Sequence, residues 1–118
     1  MTVTVVYGKA TDGYLTSTST VYATARAGSG VVVSAGTVIF VGQNFATPNY
    51  QHHQGFIGFD YAAIPATETV TAAVVRLQVA SMLSASVARN LELRSYGWTA
   101  GGLVAGDWRN ATDLPTTG

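Results

Sequence analysis

Turn signals punctuate this chain, and no stretch between them carries the pattern of a helix of ordinary length. Asp12-Gly13, Gly28-Ser29-Gly30, Ser34-Ala35-Gly36 and Pro65 cut it into short runs. Those runs are crowded with Thr, Val, Ala and Ser and poor in Glu, Lys and Leu, a mixture that favours pleated sheet over helix. At 118 residues, 47% of them hydrophobic, the chain amounts to one domain. The expectation is a single all-β domain over residues 1–118, with 110–118 as a tail or connector.

Period-two patterning locates the strands. Thr2 to Tyr7 reads as a short half-buried strand, Leu15 to Arg26 as an exposed or edge-like one, and Val31 to Val33 and Thr37 to Val41 as two further short strands. Gly42 to Gln54 (GQNFATPNYQHHQ) carries Asn, Pro and Gln without a sustained apolar period and reads as a long loop. Gly55 to Asp60 then packs Phe56, Ile57 and Phe59 into six residues, which suits a strand covered on both faces, and Pro65 ends pairing beyond it. Thr69 to Ala80 sets Thr71, Ala73, Val75, Leu77 and Val79 on one face, a core face. Arg89 to Ser95 alternates likewise, and Tyr96-Gly97-Trp98 closes it. Strands of this kind must bury one face against another layer, so an antiparallel β-sandwich with no substantial helix is expected.

Charge narrows the partners. Six basic and six acidic residues balance to zero, which gives no electrostatic footprint for nucleic acid or an anionic membrane surface. The longest apolar runs fall far short of the roughly 20 residues of a membrane-spanning helix, and the first residues lack a signal-peptide pattern. With no cysteine there is no disulfide framework and no thiol chemistry.

Asp12-Gly13-Tyr14, Tyr22 to Gly28, Val41-Gly42-Gln43, Gly55-Phe56-Ile57-Gly58-Phe59-Asp60 with Ile64-Pro65-Ala66, Thr69 to Leu77, Tyr96-Gly97-Trp98 and Asp107-Trp108 occur in that order. Together they resemble the jelly-roll modules of the DNRLRE type. These are similar to the carbohydrate-binding-module-like sandwiches of actinobacterial surface proteins and actinobacteriophage virion proteins. The resemblance implies a jelly-roll topology in which members continue beyond the Asp-Trp pair. From it follows the expectation that this chain is the N-terminal part of a longer one or is completed by a neighbour's strand.

Catalytic signatures are missing. His52 and His53 are adjacent, so on an extended chain they point to opposite faces, which is poor geometry for one metal ion. Asp12, Asp60, Glu68, Glu92, Asp107 and Asp113 show no local pairing of the kind glycoside hydrolysis needs. No cofactor is expected, and no enzyme. Leu114-Pro115-Thr116-Thr117-Gly118 matches a cell-wall sorting pattern without the apolar stretch and basic tail that such signals need.

Aromatic residues are the remaining signal. Tyr50 with Asn44, Asn49 and Gln51, and Trp98 and Trp108, are the candidate ligand residues, with Phe45 of the same loop as a further aromatic of the platform, because aromatic faces stack on sugars while amides read hydroxyls. The simpler alternatives are packing for the two tryptophans and a subunit contact for the Tyr50 loop. Two functions follow. One is a non-enzymatic phage virion protein, tail-associated, fibre-base or capsid-decorating, that assembles with copies of itself and other virion subunits. The other is a carbohydrate-binding module for a host surface polysaccharide.

Overall fold

Seven consecutive residues, Gly13–Ser19, form β1 with the burial alternation expected of a strand that has one covered face. The computed structural model describes residues 3–36, 38–82, 91–94, 96–97 and 102–110. Within them β1 is followed by a five-residue helix α1 (Tyr22–Arg26), then β2 (Val32–Ala35), β3 (Gly42–Ala46), β4 (Asn49–Phe56) and a 3-10 turn at Ala105–Asp107. The four strands make one antiparallel sheet in the order β2-β1-β4-β3. The protein is thus all-β, as its composition predicts. The described residues build one sheet, and a second, facing sheet is not among them.

Register assigns the two faces. Leu15 lies opposite Gln54, Ser17 opposite His52 and Ser19 opposite Tyr50, so these side chains share the face on which α1 packs. On this helix face Leu15, Ala25 and Phe56 form the buried apolar core. Ser17 is buried with them, and its hydroxyl donates to the Ser29 carbonyl at 2.8 Å. That bond meets the need of a polar group removed from water. The opposite face carries Tyr14, Thr16 and Thr18 with Gly55, His53 and Gln51. Residues 39–41 cross its end: Tyr14 and Phe40 meet edge to face at 5.0 Å. A Cβ on Gly55 would lie 2.9 Å from Cγ2 of Val41, so the crossing needs a glycine beneath it.

Several strand expectations are corrected. Gly42 to Gln54 is not a loop but most of the β3–β4 hairpin, turned at Thr47-Pro48, whose peptide bond is cis. The run from Leu15 to Arg26 stays extended only to Ser19. The Ser19 hydroxyl then accepts the Val21 amide at 3.1 Å, and the Ala-rich run that follows coils into α1. Val3 to Tyr7 is outside any ladder, although the chain touches the sheet region next door through the Gly8 to Phe59 bridge. Of Gly55 to Asp60 only Gly55 and Phe56 belong to a strand, and Phe59 is exposed. Thr69 to Ala80 has strand patterning but no ladder, and its side chains are exposed. Residues 91–94 are likewise without a ladder, and the remainder of the Arg89 to Ser95 strand lies outside the described residues.

The C-terminal part returns to the helix face. Gln54 bonds both backbone groups of Arg109, Tyr96 sits 6.1 Å from Phe56, and the Arg109 guanidinium lies over the Tyr96 ring at 4.6 Å. Asp107, buried beneath them, accepts the Val104 amide at 2.9 Å and the Tyr96 hydroxyl at 3.4 Å.

Candidate functional site

The short helix places Tyr22 beside the end of the β3–β4 hairpin. Its ring meets Tyr50 at 5.6 Å and His52 at 5.1 Å, both edge to face. Its hydroxyl donates to Gln43 Oε1 at 3.2 Å. Across the hairpin Phe45 stacks obliquely on Tyr50 at 4.7 Å. Because Gln43 pairs with His52 and Phe45 with Tyr50, the alternation of the pleat sends all four side chains to the helix face. The result is a shallow cleft of about 180 Å³ lined by Tyr22, Gln43, Asn44, Phe45, Tyr50 and His52.

No charged side chain lines it. Burial, and after it the positive charge of Arg26, hold the His52 pKa below its ordinary value, so the imidazole is neutral near pH 7. His52 Nε2 has no hydrogen-bond partner among the described residues. An aromatic wall, the Gln43 amide and a neutral imidazole suit an uncharged ligand with an apolar face and hydroxyls, or the apolar side chains of another protein.

Of the residues singled out by sequence, Asn44 and Tyr50 line the cleft. Gln51 lies on the opposite face, where its Oε1 accepts from Asn44 Nδ2 at 3.5 Å, and Asn49 stands at the hairpin turn opposite Ala46. Trp108 is elsewhere: its indole packs on Gly28, which has a φ of +87° and no room for a side chain. Tyr50 and Trp108 therefore do not share a platform. Trp98 lies outside the described residues. Phe45, an aromatic candidate of the same segment, also lines the cleft, whereas Tyr22, Gln43 and His52 are cleft residues that sequence reasoning does not find.

The other candidates have structural roles. His53 is on the face opposite His52, as adjacency requires, with its Nδ1 at 2.9 Å from Thr16 Oγ1. Asp60 accepts the Ala62 amide at 3.0 Å, Asp12 accepts the Gly58 amide at 2.7 Å, and Glu92 pairs with Arg94. Among the described residues no three metal-ligating side chains cluster, and no helix is long and apolar enough to cross a membrane. The chain matches no family model, no curated protein and no solved structure.

Proposed function

We propose that this protein is a non-enzymatic structural module of a phage particle, of the tail-associated, fibre-base or capsid-decorating kind, that works by assembling with copies of itself and other particle subunits. The carrying observation is an imbalance between inside and outside. Among the described residues the buried apolar core is Leu15, Ala25 and Phe56, while Val74 is 80% and Val79 71% exposed within a run that also exposes Val70, Val75 and Leu77. Apolar side chains left exposed in such a run are available for contact with other molecules. The resemblance of Gly55 to Ala66 and of Thr69 to Leu77 to virion jelly-roll modules supports the particle context. Few charges also favour it, since charged residues are depleted at the core of subunit contacts.

Light scattering of the full chain across concentration, with a thermal melt, tests this. A discrete multimer whose melting point rises with concentration is the expected result. A cooperatively folding monomer at every concentration overturns it.

The cleft favours a second reading, recognition of a surface polysaccharide, in which Tyr50, Phe45 and Tyr22 stack on a sugar ring and Gln43 bonds its hydroxyls. Retardation of the protein in polysaccharide-containing gels tests it, and free migration in gels of the host's surface polysaccharides counts against it.

A further inference from the structure

Among the described residues the sheet ends in two strands with one free side each, β2 and β3. Proteins usually blunt such edges with charged side chains, proline or bulges. The β3 sequence, Gly42-Gln43-Asn44-Phe45-Ala46, has no charge and no proline. Phe45, its fourth residue, is 55% exposed and forms the rim of the aromatic cleft.

The same chain holds an element with the complementary deficit. Residues 69–80 alternate as a strand does, with Val75, Leu77 and Val79 on one side. They lie outside the sheet, and their backbone makes no hydrogen bond among the described residues. The one charged side chain of the run, Arg76, falls on the other side of the pleat.

We propose that copies of this chain pair through these two elements: segment 70–79 of one copy adds to the free side of β3 in the next, with Val75, Leu77 and Val79 laid over the aromatic cleft. This rests on the assembly reading above and names its contact. Main-chain hydrogen bonds along β3 supply the affinity of such an addition, and alternate side chains seated in the cleft supply its register. No charge is stranded, because the cleft has no charged lining and Arg76 stays on the far side. The β2 edge, Val32–Ala35, is equally uncharged but lacks an aromatic concavity beside it. Donor and acceptor are different surfaces, so copies close as a reciprocal pair or a ring, or else grow as a filament.

Amide hydrogen exchange of the full chain, followed against protein concentration, tests the contact. Amides within 42–46 and 70–79 are expected to gain at least about tenfold protection together as the multimer forms. Leu77→Asp with Val79→Asp should remove both gains and the multimer while circular dichroism retains the sheet. Val32→Asp, on the other edge, should keep them. A multimer in which both segments exchange freely overturns this contact and leaves assembly by another surface standing. A monomer at every concentration overturns both. Protection of both segments in a monomer means that the segment docks on its own β3, which also overturns pairing between copies.

Discussion

The side chain of Gln54 holds the backbone of Arg109 at both polar groups: Oε1 accepts the Arg109 amide at 3.0 Å, and Nε2 donates to the Arg109 carbonyl. A glutamine thereby does what a neighbouring strand would do, and the C-terminal part is fastened to the centre of the sheet. Gln54→Ala removes two hydrogen bonds and leaves a half-buried amide unpaired, a loss of about 1 to 3 kcal/mol. Urea titration should show that loss, and trypsin should cut faster after Arg109. Gln54→Glu keeps an acceptor but no donor and should fall between the two. Equal stability of all three proteins would refute the fastening.

Gly28 and Trp108 form a second tether. Gly28 adopts a positive φ, and the indole of Trp108 fills the place a Cβ would need. Gly28→Ala combines backbone strain with a displaced ring and should cost about 1 to 3 kcal/mol. The tryptophan emission should shift to the red as the indole leaves its cover. Unchanged emission and stability would show that the ring rests elsewhere in solution.

Protonation should weaken the sheet. The pKa of His52 is lowered by burial and then by Arg26, and that of His53 by burial and then by His52. Both imidazoles therefore bind a proton less readily in the folded protein than in the unfolded chain. The unfolded chain takes up more protons as pH falls through about 6.5, so stability is present above that pH and declines below it, levelling off beneath the folded-state values. Denaturation midpoints at pH 7.5 and pH 5 should differ more for the native sequence than for His52→Gln with His53→Gln. Identical differences would remove the histidines from the account.

The polysaccharide reading makes a separable demand. Tyr50→Ala should abolish retardation in the gels described above, because Tyr50 supports both Phe45 and Tyr22. Trp108→Ala, on the other tether, should leave retardation intact at temperatures where the sheet persists. The reverse pattern would move the binding surface to Trp108.

The all-β class is legible because the runs between turns are rich in Thr and Val and poor in Glu, Lys and Leu, which favours sheet over helix. The β3–β4 hairpin is not legible, and the reason is chemical. Tyr50, His52 and Gln54 occupy one face of β4 while Asn49, Gln51 and His53 occupy the other, so polar groups sit on both and the period-two contrast vanishes. Residues 69–80 show the opposite behaviour. Their alternation is a capacity to pair, and a capacity does not specify the partner. Tyr50 and Asn44 stand out locally as an aromatic among amides. Tyr22 does not, because its place in the cleft depends on a helical turn inside a run that reads as a strand.

The order β2-β1-β4-β3 means that the sheet is two local hairpin-like pairs joined along one seam, β1 against β4, where Thr16 and His53 are 37 positions apart. β3 and β4 can zip early over a two-residue turn and β1 and β2 over the 12 residues that hold α1, whereas the seam must close a longer loop. The time this protein needs to fold is therefore expected to be set at that seam. Substitutions at Ser17 or Gln54 should slow refolding, and those in β2, which is paired before the seam closes, should slow it too rather than hasten unfolding, an outcome that stopped-flow kinetics would reveal or deny.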